Sequence, residues 1–204
     1  RTPQMSAEMY FGNNGYKFAL EPTLGNTLIF ARESFYWDYN GYSFPLGAGH
    51  AETLTGSGQH AKVASYVVPS VKSWIVYHFH DTSDTAPMKQ PCALNDNGWL
   101  RPDGANLAAY LYRLREQFPA HYRRIVDTVQ LVAPFFSDFQ LRPNPLDPNS
   151  IQLEWNEVGS DFPFLGHHLS DGSLRFICLT TVLLQPDKLM PATILFDEPE
   201  LGLH

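Results

Sequence analysis

The sequence predicts an α/β protein with an N-terminal antiparallel β part, a helical insertion and a closing strand–helix–strand unit. Three patterns carry this expectation. Residues 7–36 form aromatic and β-branched runs broken by turn residues, as antiparallel strands do. Residues 103–132 carry apolar side chains at helical spacing, and residues 170–196 join a helical pattern to a short apolar run.

Ala7 to Phe11 and Tyr16 to Glu21 flank Asn13-Asn14-Gly15, a turn suited to positive φ, and so predict a hairpin. Thr27 to Tyr36 is a third strand. Residues 38–60, rich in Gly, Tyr and Ser, are expected to be surface loop. Ala61 to Val71 predicts a short helix damaged by Pro69. Ser73 to Phe79 is nearly continuous in apolar residues, the pattern of a strand buried on both faces. Asp81 to Pro102 is polar and Pro-rich, a connecting segment.

Asp103 is placed to N-cap a helix through Asn106, Leu107, Tyr110, Leu111 and Leu114. Pro119 opens a second helix that runs to about Val132. Ser137 to Leu141 and Ile151 to Glu157 predict strands, the second turning Ile151, Leu153 and Trp155 inward. The three prolines of Arg142 to Asn149 predict a loop between them. Ser170 to Gln185 is a third helix, and Ala192 to Phe196 a buried strand.

The chain has 204 residues, 44% of them hydrophobic and only 17% charged, so a folded core is expected and disorder is excluded for most of the length. Its net charge is −7 and its pI near 5.5, which argues against a mainly electrostatic nucleic-acid binder. No apolar run approaches the ~18 residues of a membrane span, and residues 1–10 lack the apolar core of a secretory signal. Cys92 and Cys178 lie far apart without CxxC spacing, which suits a reducing, cytoplasmic setting. Arg1 in place of Met, and an end at His204 just past an apolar strand, predict an internal piece of a longer protein.

Two segments carry chemistry. Ile194 to Phe196 is followed by Asp197-Glu198-Pro199, which sets two carboxylates at the end of a strand, where α/β proteins bind ligands. Pro199 turns the chain, so both carboxylates could reach one pocket. Asp197 suits Mg²⁺, and Glu198 suits activation of a water that attacks a phosphate. The plainer alternative is an acidic strand end that caps a neighbouring helix. In Leu169-Ser170-Asp171-Gly172-Ser173-Leu174-Arg175, Ser170 is a good N-cap. Gly172 lets an anion approach the backbone N–H groups at a positive helix end. An ordinary helix start would look the same.

Together, LSDGSLRF at 169–176 and ILFDEPELGLH at 194–204 resemble the ABC-class ATPase heads, in particular the RecF, SMC and OLD branch and its predicted bacterial AAA-type ATPases. Asp103-Gly104-Ala105-Asn106-Leu107 is similar to the DGxNL opening of those proteins' helical lobe. Trp74 to Phe79 resembles the strand that leads into it. The resemblance covers most of residues 10–204. It implies a P-loop NTPase fold, incomplete here, divided as a β-rich part (1–80), a helical lobe (81–135) and a signature helix with Walker B strand (136–204). It implies ATP and Mg²⁺ as cofactors, with Asp197 as the metal-holding carboxylate and Glu198 as general base. Ser170, Asp171 and Gly172 become the signature residues, with Ser170 and Gly172 facing the γ-phosphate of ATP held by a second copy. A homodimer closed by ATP follows, and Leu201 to His204 would begin a loop that signals between its two sites. Ser173 replaces the family's usual Gln and is assigned no contact.

The P-loop pattern G-x-x-x-x-G-K-[ST] does not occur; Gly56-Ser57-Gly58-Gln59-His60-Ala61-Lys62 has the wrong spacing. In the family that loop precedes this region, so this chain alone is expected to bind nucleotide weakly or not at all. The family's processes (DNA repair, chromosome handling, phage defence) imply DNA or a nuclease as candidate partners, and no membrane. The competing reading is a non-catalytic dimerisation module derived from such a head. His78 and His80, two apart beside Asp81, invite a metal site but lack further ligands at diagnostic spacing. His167-His168 suit a turn. Arg113, Arg115, Arg123 and Arg124 make the helical lobe the most basic region, suited to solvent or to a partner.

Overall fold

The computed structural model describes residues 3–37 and 41–200 and divides into two compact units, Arg1–Trp74 and Ile75–His204.

The first unit is an antiparallel meander of β1 (Met5–Phe11), β2 (Asn14–Pro22), β3 (Leu28–Trp37) and β4 (Tyr42–Gly47), in that order, with helix α1 (Ala61–Lys72) against it. The predicted hairpin is present with a shifted turn. Phe11 pairs with Asn14, so the turn is Gly12-Asn13, and Gly12 alone takes positive φ (61°). That is the pattern of a type II′ turn, which puts Gly first. Gly15 instead lies in β2, where a Cβ would stand 3.1 Å from the Met9 carbonyl oxygen.

The loop expected over 38–60 is corrected at 42–47. These residues form β4, paired with β3 from Trp37↔Tyr42 to Glu33↔Gly47. Residues 38–40 lie outside the described residues. Helix α1 is not broken by Pro69; it continues to Lys72, and Ser73 N donates to Pro69 O at 3.0 Å. A proline loses its own donor, but its carbonyl still accepts. Tyr16, Phe35, Leu46, Val63 and Val67 form this unit's core.

The second unit opens with β5 (Trp74–Tyr77), which crosses the boundary between the two units and pairs with β12 (Thr193–Phe196) in a two-stranded sheet. Neither is the fully buried strand expected from sequence. Val76 is 50% and Leu195 40% exposed, so both strands of the described two-stranded sheet keep apolar side chains open. Between them lie β6 (Cys92–Ala93), α2 (Leu107–Gln117), α3 (Pro119–Val132), β7 (Phe136–Phe139), β8 (Pro143–Asn144), β9 (Asp147–Ile151), β10 (Glu154–Glu157), β11 (Pro163–Leu165) and α4 (Asp171–Leu184). The sheets run β6-β9-β8 and β11-β10-β7.

Asp103 is not the N-cap of α2. Its carboxylate accepts from Ala105 N at 3.0 Å, and the helix starts three residues later than expected. Asn106 holds the cap position but turns its side chain onto the preceding loop. It accepts from Arg101 N at 2.8 Å and donates to Asp96 O and Trp99 O. Helix α3 begins at Pro119 and ends at Val132 as predicted. The single strand expected over 151–157 is divided between β9 and β10, although Ile151, Leu153 and Trp155 are all buried as expected. The proline loop 142–149 is itself the β8–β9 hairpin.

The core of this unit gathers α2, α3 and α4 around fully buried Leu107, Leu111, Leu114, Ile125, Leu174 and Ile177. Each such side chain contributes about 1.5–3 kcal/mol. Gly104, at φ +72°, fits tightly here: a Cβ would meet Cys178 Sγ at 3.3 Å. Cys178 is packed core, its thiol pushed up by burial, and Cys92 is likewise unpaired. No helix among the described residues is long and apolar enough to cross a membrane.

Candidate functional site

Strand β12 delivers the acidic pair. As its last residue gives way to Asp197, the Asp197 N–H donates to the Tyr77 carbonyl of β5 at 3.0 Å, so the backbone of the pair begins on a fixed support. Glu198 then takes φ +43°, a left-handed conformation unusual for a residue with a Cβ. This turn, followed by Pro199, brings both Asp197 and Glu198 to line one cleft. The cleft has an apolar floor of Tyr77, Phe79, Leu179 and Phe196. His80 and Arg175 complete its polar side. The Tyr77 ring lies tilted against Phe79 and Phe196, with centroids 5.7 and 5.9 Å away, so the support beneath the carboxylates is packed aromatic core.

His80 Nε2 donates to Asp197 Oδ2 at 3.0 Å; the direction follows because a carboxylate only accepts. Arg175, on the second turn of α4, donates Nε to Phe79 O at 3.0 Å and Nη2 to His80 O at 2.7 Å. The Asp197 side chain is 60% exposed, and His80 is its one hydrogen-bond partner among the described residues. An accessible carboxylate with oxygen to offer fits Mg²⁺, which takes one or two protein carboxylates and fills its shell from phosphate and water. Among the described residues no three His, Cys, Asp or Glu side chains gather into a metal-binding cluster.

The helix start behaves differently. Ser170 is the N-cap of α4 as predicted: its Oγ accepts from Ser173 N at 3.1 Å and lies 2.9 Å from Ser173 Oγ. Ser173, assigned no contact from sequence, therefore shares the cap. Asp171 is exposed at the first turn, with Lys89 Nζ 3.9 Å away, and Gly172 is half-buried. None of Ser170, Asp171 and Gly172 lines the Asp197–Glu198 cleft.

His78 and His80 do not share a strand face, because β5 ends at Tyr77 and His78 is exposed. His167 and His168 fall in a 3₁₀ turn. The arginines of the helical region are largely engaged. Arg113 donates to Asn97 O and Gly98 O, Arg115 to Leu141 O, and Arg123 pairs with Asp127. Leu201 to His204 lie outside the described residues. Sequence reasoning gave no role to Arg175 or to Lys89, which is buried and donates to Thr82 O at 2.6 Å. Arg175 had a signal, since it closes the LSDGSLR segment; Lys89 had none.

An α/β unit with a carboxylate pair past a strand end is consistent with a nucleotide-binding domain of the P-loop ATPase type. The comparison with protein families agrees. A family model described as "AAA domain, putative AbiEii toxin, Type IV TA system" matches residues 71–204, and the chain belongs to that family. No curated protein and no solved structure matches it.

Proposed function

We propose that this chain is part of an ATP-hydrolysing head of the ABC type, close to the RecF, SMC and OLD branch, in which two ATP molecules lie between two copies. The observation that carries the proposal is the convergence of Asp197 and Glu198 on one cleft beyond β12. Asp197 holds Mg²⁺, which when bound neutralises charge on the phosphate oxygens. Glu198, which its left-handed backbone sets on the wall of the same cleft, accepts a proton from the attacking water. The N–H groups at the start of α4, with Ser170 and Gly172, face the γ-phosphate of the nucleotide on the other copy. The separation of this helix start from the carboxylate cleft supports a site that a second copy completes. Hydrolysis drives a step in DNA repair, chromosome handling or phage defence in the cytoplasm, with DNA or a nuclease as partner.

The test is steady-state Mg·ATP hydrolysis by the full-length protein beside its Glu198→Gln variant, with molar mass followed by light scattering. The expected result is turnover in the parent and a loss of roughly a hundredfold or more in the variant. ATP should also hold the variant as a dimer. Turnover indifferent to Glu198→Gln would remove the base from the scheme. A protein that dimerises without hydrolysing would instead be a non-catalytic module.

A further inference from the structure

We infer that Arg175 is a positioning residue for the Asp197 carboxylate, acting through His80. The inference rests on the reading of Asp197 as the cation-holding carboxylate. The segment after β5 has left its sheet: residues 78–82 belong to no helix or strand, yet Phe79 within it is buried. His78 N donates to Pro102 O at 3.0 Å at its start, and Arg175 holds the next two residues. Its Nε and Nη2 donate to the consecutive carbonyls of Phe79 and His80 at 3.0 and 2.7 Å. A guanidinium is a rigid planar fork, so bonds to two successive carbonyls set the orientation of the peptide between them and not merely its distance. The His80 side chain then starts from a fixed backbone and reaches Asp197 Oδ2 at 3.0 Å.

Lys89 strengthens the arrangement further along the same segment. Its buried ammonium donates to Thr82 O at 2.6 Å and lies 3.9 Å from Asp171 on the first turn of α4, so Lys89 ties the far end of the segment on the side facing that helix. The carboxylate beyond β12 is thereby oriented from the helix that carries Ser170 and Gly172. Partners that hydrogen-bond a metal-binding carboxylate govern its affinity by fixing its orientation, and their loss typically weakens binding 10–100-fold.

The test measures Mn²⁺ binding to the full-length protein in the presence of ATP by electron paramagnetic resonance, with thermal unfolding recorded in parallel. The variants are Arg175→Lys, which keeps the charge and loses the fork, His80→Ala, their combination, and Asp197→Asn. Arg175→Lys and His80→Ala should each raise the half-saturating Mn²⁺ concentration roughly tenfold. The double variant should also show roughly tenfold, not a hundredfold, because both act on one path. An Arg175→Lys protein that melts earlier but binds Mn²⁺ like the parent overturns the inference, as does a multiplicative double variant. If Asp197→Asn abolishes binding while Arg175→Lys leaves it unchanged, only the inference fails. If the parent binds no Mn²⁺ with ATP, the reading of Asp197 falls and the inference with it.

Discussion

The two units each contain a histidine–carboxylate pair, and the two pairs have opposite characters. In the first unit His50 Nε2 lies 2.8 Å from Glu33, whose side chain is fully buried. Glu33 also accepts from Tyr16 OH and Thr53 Oγ1 at 2.5 Å and from Leu54 N at 2.9 Å. In the second unit His80 Nε2 lies 3.0 Å from Asp197, whose side chain is largely exposed and has no other hydrogen-bond partner among the described residues. A buried carboxylate surrounded by four donors has little capacity left for a ligand; it fastens residues 50–54 onto β3. A carboxylate with one partner, past the end of a strand, retains capacity for a cation. The number of partners, more than the identity of the pair, separates fastener from site.

Removing each carboxylate sharpens that contrast. Glu33→Ala leaves Tyr16, Thr53 and the Leu54 N–H without their acceptor. It should cost about 3–5 kcal/mol in denaturant unfolding, whereas Asp197→Ala should stay within about 0.5 kcal/mol. Equal losses would erase the distinction. Asn106, buried and bonded three ways to the loop before α2, is the second unit's own fastener. Asn106→Ala should cost about 2–3 kcal/mol on the same measurement.

Acid should act on the first unit in a defined direction. Burial pushes the Glu33 carboxyl up, but the donors Thr53, Tyr16, Leu54 and His50 outweigh it and hold the group below the usual carboxylate range. A lowered native value means that the stabilisation is present in full above the ordinary glutamate range. It is lost as pH falls through the native value. A Glu33→Gln protein should therefore show a shallower loss of stability between neutral and acidic pH than the parent. An identical slope would show that Glu33 does not carry the acid sensitivity. The smallest effect belongs to the exposed Arg123–Asp127 pair on α3. Arg123→Ala should change stability by less than about 0.5 kcal/mol.

Legibility in the sequence followed the range of the interaction. Helix α3 and the N-cap of α4 depend on residues within one turn of each other, and both were readable from Pro119 and Ser170. Strand β4 is defined by its pairing with β3, and its Gly- and Ser-rich surroundings conceal that partner. The start of α2 was misplaced because Asn106 spends its side chain on a loop up to ten residues back. The site divides in the same way. Asp197 and Glu198 are adjacent and stand out as a pair. The contacts that join His80 to Asp197 and Arg175 to His80 span 117 and 95 residues and exist only once the chain is folded.

The most direct measurement sets the two carboxylate classes against each other in the full-length protein: Mg·ATP turnover per folded molecule, with melting temperature, for Glu33→Gln and Glu198→Gln. Glu198→Gln should lose roughly a hundredfold or more in turnover with its melting temperature unchanged. Glu33→Gln should melt earlier and turn over normally at a temperature where it is folded. Parental turnover in the Glu198→Gln variant would contradict the assignment of hydrolysis to the cleft beyond β12.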